Sequence, residues 1–394
     1  MINIDLHITY RCNLNCIHCS VSDLRNEDFI KLHYGAGIFR GKKPKEVIYK
    51  EEYILYLLSL LNDGKYKFRV NFSSNAGEST LIKNFVDIWN FISKKETVKS
   101  MTLTTNGRNL YKIIKHMDLT KLQNIIFSLD GCEEKINDTI RGPGSFNAVI
   151  RSIKAIQKIF DYQKNDNIFI QINYTLNKLN AFSLPFLPII LKYTHIPFTF
   201  NIIKIYLLEG NAAKNKKILN ISFDEIKNSI KKFYNNLAEI NVLRESKGLK
   251  PFKFRLEGFT AKEIFSIINN LHHLKCKYFL LGISRNQGTC GVVNKKRIFI
   301  DPYGYIFPCL QFTHEKVLNS FYEKYKRTEV PHISKISKID DVIYSEFFRN
   351  ARMWVNELYS FNGFPCAKCK FVKVCTICPV GVNIRGEIPN ECRM

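Results

Sequence analysis

No apolar run in this 394-residue chain approaches the ~20 residues that a membrane-spanning helix needs; the longest are short and interrupted, as around Tyr53 to Leu61. The amino terminus, Met1-Ile2-Asn3-Ile4-Asp5, lacks the charged head and apolar core of a secretion signal. The expectation is a cytoplasmic protein with no membrane partner. Acidic residues are scarce, 35 against 59 Lys and Arg, which leaves a net charge of +24. Such an excess suits an anionic partner. It equally suits AT-rich coding, because Lys, Asn, Ile, Tyr and Phe are abundant together and the lysines are scattered. A dense basic tract is missing, so nucleic acid is not the expected partner. Solenoid repeats and low-complexity tails are missing too. The length allows two or three domains, and the 45% apolar content is ordinary for a globular chain.

Cysteine is present in quantity and unevenly. Of twelve, three fall within eight residues near the amino terminus and seven lie between Cys290 and Cys392. Disulfides are rare in the cytosol, so clustered thiols there read as metal ligands.

Period-two patterning predicts strands at 2–9, 68–73, 100–105, 124–129, 168–175 and 198–206. Helical patterning fills 51–61, 81–93 and 148–159. Strand and helix alternate six times over about 210 residues, which predicts parallel βα units. The class is α/β, a partial (β/α)6 TIM-like barrel, open on one side. Glycine-containing polar loops follow the strands, the end where chemistry collects in such barrels. A polar stretch from Gly210 to Lys217 marks a boundary. Helices at 221–241 and 261–274 make a bridging segment over 211–275. From Cys276 to the end the chain is cysteine-rich, with a β-hairpin of Arg297 to Ile300 and Tyr305 to Phe307 about the turn Asp301-Pro302-Tyr303-Gly304.

The loop after the first strand carries Cys12-x3-Cys16-x2-Cys19. A tetrahedral zinc site or a fully ligated four-iron cluster takes four ligands. Three thiolates leave one iron of a [4Fe-4S] cluster open, able to bind the amino and carboxylate groups of S-adenosylmethionine. A zinc knuckle short of a ligand is the plain alternative.

Thr9-Tyr10-Arg11-Cys12-Asn13-Leu14-Asn15-Cys16-Ile17-His18-Cys19 resembles the cluster loop of the radical S-adenosylmethionine superfamily. Later motifs extend the resemblance over the first ~210 residues. Asn75-Ala76-Gly77-Glu78 resembles the family's Gly-Gly-Glu-Pro loop, with Ala76 and Ser79 departing from it. Thr104-Thr105-Asn106-Gly107 resembles Thr-Asn-Gly. Ser128-Leu129-Asp130-Gly131 resembles Ser-x-Asp-Gly, and Arg141-Gly142-Pro143-Gly144-Ser145-Phe146 an Arg-Gly-x-Gly-x-Phe stretch. The resemblance implies reductive cleavage of S-adenosylmethionine to a 5′-deoxyadenosyl radical. It implies His18, Gly77, Glu78, Asn106, Ser128, Asp130 and Arg141 as cofactor contacts: His18 near the adenine, Glu78 on the ammonium and Arg141 on the carboxylate. Asn173, Thr175 and Leu207 are further wall candidates.

Cys290-x13-Gly304-x4-Cys309, then Cys366-x2-Cys369-x5-Cys375-x2-Cys378 and Cys392, resemble the SPASM auxiliary-cluster extension. By resemblance Cys366, Cys369, Cys375 and Cys392 hold one [4Fe-4S] cluster. Cys290, Cys309 and Cys378 serve another, with Cys276 a candidate to complete it. The two-residue gap before Cys378, where some relatives have three, leaves the ligand crossover open. Zinc ribbons are the alternative. Cys132 fits no motif and reads as a small buried hydrophobe. His272 and His273 point in different directions on a helix and do not make a metal site.

The functional expectation is a maturase of ribosomally made precursor peptides, acting with a cellular electron donor of flavodoxin or ferredoxin type and installing a side-chain cross-link of cyclophane, ether or carbon–carbon type. The chain starts almost at its first strand, so leader recognition is expected in the barrel, the bridging segment or a separate protein. An anaerobic sulfatase-maturating, formylglycine-forming enzyme is the second reading. A zinc-ribbon nucleic-acid-binding protein is the third, and it leaves the ordered strand-end motifs unexplained.

Overall fold

The computed structural model describes residues 1–25, 51–73, 77–163, 168–205, 209–271, 277–280 and 290–360, with Cys378 and Val380. Six expected strands form within a residue or three of their predicted bounds: β1 Ile2–Leu6, β2 Phe68–Phe72, β3 Val98–Thr105, β4 Leu122–Ser128, β5 Phe169–Leu176 and β6 Phe198–Lys204. All pair in parallel with their sequence neighbours. The expected hairpin also forms, as β8 Arg297–Ile300 and the antiparallel β9 Ile306–Phe307.

Two features extend the sheet beyond expectation. A strand β7, Lys253–Glu257, pairs in parallel with β6 from within the segment read as helical. On the other side β8 pairs in parallel with β1. The order is β7-β6-β5-β4-β3-β2-β1-β8-β9, an open sheet that draws strands from all three stretches of the sequence.

Register explains the patterning. Leu6, Phe72, Leu103, Ile125, Ile170 and Phe198 form one row of paired positions across six strands. All six are buried in the main core with helix residues such as Phe85, Trp89, Val149 and Ile153. The opposite face is polar. Asp5, Asn71, Thr102 and Asn124 make one row, and Ser128, Asn173, Asn201 and Arg255 another. Most of these residues are only half-buried. A closed eight-stranded barrel fills this face with branched apolar side chains; here it is an open, hydrogen-bonding surface.

Local signals set the helix starts. Ser222 and Glu225 form a reciprocal capping box at the head of the helix Phe223–Ser246, and Thr260 and Glu263 do the same for Ala261–Asn270. At the hairpin turn, Asp301 Oδ1 accepts from the backbone N–H groups of Tyr303 and Tyr305 at 3.0 and 2.8 Å. Gly304 there has φ +88°, which side-chain-bearing residues rarely adopt.

Candidate active site at the carboxyl ends of the strands

The cysteine loop leaves the end of β1 and is pinned from several sides. Glu78 N–H donates to Arg11 O at 2.8 Å, and Ile17 N–H to Ile140 O at 3.0 Å. Gly77 lies so close to the loop that an added Cβ would stand 2.1 Å from Thr9 O. The close packing at this glycine is therefore against the chain's own backbone. Asn75 and Ala76 of the same motif lie outside the described residues.

Glu78 is 1% exposed. Its Oε1 accepts from the Thr105 hydroxyl at 2.8 Å, the Thr80 hydroxyl at 2.6 Å and Thr80 N–H at 3.3 Å; its Oε2 accepts from Asn106 N–H at 2.8 Å. Burial holds its pKa above the ordinary glutamate value, against the pull of those donors. Glu78 thus clasps the end of β3 to the loop after β2. Asn106 carries the link onward: its Nδ2 donates to Asn13 Oδ1 at 2.8 Å and lies 3.9 Å from Cys12 Sγ.

A second cluster surrounds Asp130, just past β4 and fully buried. Arg141 Nε stands 2.5 Å from Asp130 Oδ2, and His18 Nε2 stands 3.4 Å from the same oxygen. Asp130 Oδ1 accepts from Thr175 N–H at 2.5 Å, which brings in the end of β5. Arg141 also reaches the metal-ligand candidates, with a terminal nitrogen 3.8 Å from Cys16 Sγ. Burial pushes the Cys16 thiol up to about 11, with Arg141 pulling the other way, and burial lowers His18 to about 4. Cys12, Cys19, Asp130 and Arg141 all bear on the charge of Cys16.

His18, Glu78, Asn106, Asp130 and Arg141 are therefore gathered about the three-cysteine loop. Ser128 belongs to the polar sheet face, in register with Asn173. Asn173 joins a network there, with Asn201 Nδ2 donating to it at 3.0 Å. Leu207 lies outside the described residues.

The sequence reading missed the staple on the far side of the loop. Gly210 has φ +55°, and a Cβ on it would meet Ser22 Oγ at 2.5 Å and Cys19 O at 2.8 Å. Asn211 Nδ2 donates to Cys16 O at 3.0 Å and Asn15 Oδ1 at 2.8 Å, and Asn215 Nδ2 to Ile17 O at 3.0 Å. The stretch reads as a polar boundary by composition. Its one clue is a glycine followed by asparagines directly after a strand.

In the carboxyl-terminal third, Cys290, Cys309 and Cys378 come together. Cys309 is raised to about 12 by burial, with Cys378 and Cys290 adding to the shift. Cys276, Cys366, Cys369, Cys375 and Cys392 lie outside the described residues, as do His272 and His273. Cys132 stands apart, with its N–H donating to the Ser183 hydroxyl at 2.9 Å and its thiol 3.0 Å from Ser183 O. Burial raises it to about 12, an inert thiol.

Among the described residues, no three His, Cys, Asp or Glu side chains converge tightly enough to hold one metal ion. Ligands of a four-iron cluster bind separate irons and stand farther apart than ligands of a single zinc. Three thiols in mutual electrostatic reach, on a loop pinned from both sides, fit the cluster. Among the described residues no helix is long and apolar enough to cross a membrane.

Residues 6–183 match the radical SAM superfamily. The match places a radical SAM domain in the amino-terminal part of the chain. Such a domain implies S-adenosylmethionine and a [4Fe-4S] cluster as cofactors. A probable GTP 3′,8-cyclase of Pyrococcus abyssi is 28% identical over 158 residues, 40% of this chain and 44% of that protein. The chain therefore spans less than half the length of that relative. A GTP 3′,8-cyclase of Limosilactobacillus fermentum is 23% identical over 323 residues, 79% of each chain. Streptococcus suis SuiB bound to S-adenosylmethionine shares the fold at a TM-score of 0.56 and 14% identity, covering 100% of this chain and 77% of its own. The protein anSMEcpe with bound AdoMet shares it at 0.58 and 16%, covering 95% and 89%. A further anSMEcpe structure, at 0.53 and 16% with 95% and 87% covered, holds AdoMet and the Cp18Cys peptide.

Proposed function

We propose that this radical SAM enzyme modifies a precursor peptide, installing a side-chain cross-link of cyclophane, ether or carbon–carbon type. Cys12, Cys16 and Cys19 would hold the [4Fe-4S] cluster with one open iron, and S-adenosylmethionine would lie among His18, Gly77, Glu78, Asn106, Ser128, Asp130 and Arg141. When bound, these cofactors supply a carbon-centred radical by one-electron cleavage of a sulfur–carbon bond. In this reading residues 1–210 form the radical SAM barrel, 211–275 the bridge and 276–394 a SPASM domain. That domain would hold one or two auxiliary clusters on Cys290, Cys309, Cys366, Cys369, Cys375, Cys378 and Cys392, with Cys276 a further candidate. A flavodoxin- or ferredoxin-type protein would deliver the electron.

The observation that carries the substrate class is the polar sheet face. Its side chains are mostly amides and hydroxyls, and two of its arginines are held by neighbouring groups. Arg297 pairs with Asp5 at 2.5 Å. Arg255 donates to Gln171 Oε1 at 2.6 Å and Asn201 Oδ1 at 3.2 Å, while Asn201 also donates to Glu257 at 2.8 Å. Such a surface suits peptide groups. A nucleoside triphosphate calls for a cluster of cations aimed at its phosphates, and these two arginines are held by their neighbours. Arg69, on the same face, is exposed near the amino end of β2.

The names of the curated relatives favour GTP as the competing substrate, and formylglycine formation on a sulfatase is a third outcome. Anaerobic reconstitution with iron, sulfide and dithionite should give 5′-deoxyadenosine from S-adenosylmethionine. Replacing Cys12, Cys16 and Cys19 by Ala should abolish that product. Peptides encoded by short reading frames beside the gene, a sulfatase-derived Cys or Ser peptide, and GTP should then be offered separately. Loss of two hydrogens from a neighbouring peptide supports the proposal. A cyclised nucleotide, or an aldehyde on the sulfatase peptide, would replace it.

A further inference from the structure

Arg297 occupies a position between two functional regions. On one side it faces the polar surface, its Nε 2.5 Å from Asp5 Oδ2 and a terminal nitrogen 3.4 Å from Asp5 Oδ1. Asn71 Nδ2 donates to Asp5 at 2.9 Å and holds that carboxylate in place. On the other side the arginine stem packs on Gly291, next to Cys290. An added Cβ at Gly291 would stand 2.6 Å from Arg297 Cβ and 3.2 Å from its Cδ. Close packing at a side-chain-free residue brings the stem of Arg297 against the Cys290 turn. That turn is closed by Lys296 N–H donating to Gly291 O at 3.1 Å and Asn294 N–H to Cys290 O at 3.1 Å. The positive charge of Arg297 also reaches the Cys309 thiol.

We propose that Arg297, oriented by Asp5, is the residue that sets the reduction potential of the metal site built on Cys290, Cys309 and Cys378, and that it ties this site electrostatically to the substrate face of the sheet. This rests on the auxiliary-cluster reading. The physical reason is charge. A four-iron cluster gains one negative charge when it takes up one electron, with no bond broken and no ligand released. A nearby fixed cation stabilises the reduced form and raises the potential. Asp5 keeps the guanidinium in one place, and a substrate group that competed for Asp5 would change the field at the cluster. Arg297 is accordingly a positioning residue, touching neither substrate nor cluster directly.

The test uses the full chain reconstituted anaerobically, in a background with Cys12, Cys16 and Cys19 replaced by Ala so that only auxiliary clusters remain. Redox titration followed by electron paramagnetic resonance gives their midpoint potentials. Arg297→Gln should shift one auxiliary couple to a lower potential and leave any other in place. Arg297→Lys keeps the charge and should return that couple toward the parent value, which a purely structural role for the guanidinium fork would not do. Unchanged midpoints in Arg297→Gln overturn the inference alone. So does a shift that Arg297→Lys shares in full. A parent protein with no cluster in this background overturns the auxiliary-cluster reading itself, and the inference falls with it.

Discussion

Arg141 Nε lies 2.5 Å from Asp130 Oδ2, and the same guanidinium reaches to 3.8 Å from Cys16 Sγ. One buried cation therefore neutralises a buried carboxylate and faces the cysteine loop at once. Breaking a buried pair by removing one partner leaves the other charge uncompensated and costs about 3–5 kcal/mol. Asp130→Asn and Arg141→Gln should each lower unfolding free energy by that order in the cluster-free, reduced protein. The double variant should lose clearly less than the two losses added together. Denaturant melts in a double-mutant cycle check this, and simple additivity would mean that the two residues act independently.

Glu78 offers a prediction about pH. Burial places its folded pKa above the ordinary glutamate value. Between those two values the folded protein holds a proton that the unfolded chain has released. The stabilising contribution is therefore full below the ordinary glutamate pKa and is lost as pH rises through the raised one. Glu78→Gln should flatten stability against pH in that window. Thr105→Val removes one of the donors that favour the ionised form, so it should steepen the decline and cost about 1 kcal/mol. Melts at a series of pH values under reducing conditions test both, and a slope unchanged in Glu78→Gln would mean that another carboxyl group is responsible.

Asn211 and Asn215 hold the cysteine loop from the segment after β6. Each side-chain-to-backbone bond is worth about 1 kcal/mol, small beside the stability of a whole domain. Replacing both by Ala should therefore leave the global melt nearly unchanged but loosen the loop locally. The expected outcome is faster loss of iron to a chelator, several-fold in rate, with little change in Tm. Equal chelation rates in variant and parent would remove these asparagines from the site.

These three cases divide what the residues reveal in order from what they conceal. Cys12, Cys16, Cys19, Glu78 and Asp130 lie in loops that follow strands, and Arg141 ends the helix Glu134–Arg141; the resemblance of their motifs to the family's is what points to them together. Asn211 and Asn215 act through backbone carbonyls some 195 residues away, and no local pattern encodes such a contact. Strand β7 was visible as Phe252-Lys253-Phe254-Arg255-Leu256-Glu257, a clean alternation. It is hidden between two stretches whose helical patterning gives the stronger signal. The joining of β8 to β1 is a long-range register choice. What enforces it is the Asp5–Arg297 pair and the match of Leu6 to Ile300, neither of which leaves a trace near either strand.

His7 follows β1 and is 1% exposed, its ring 4.4 Å from that of Phe299 at a 56° tilt. Among the described residues neither ring nitrogen has a hydrogen-bond partner. Burial lowers its pKa to about 4 from 6.5, against a raising influence from Asp5. Between those values the unfolded chain binds the proton and the folded protein does not, so stability falls as pH falls from 6.5 toward 4. A displacement of this size corresponds to about 3 kcal/mol once both limits are passed. His7→Phe keeps a ring against Phe299 and removes the titrating group. It should be at least as stable as the parent near neutrality and more stable below pH 4, because it lacks this part of the acid-induced loss between neutrality and pH 4. His18 is displaced in the same direction and sets the residual slope, so a His18→Gln protein serves as the paired control. If His7→Phe lost stability with acid as steeply as the parent, the burial of this imidazole would have no weight in the acid response, and the close fit of β1 against β8 at Phe299 would need another source.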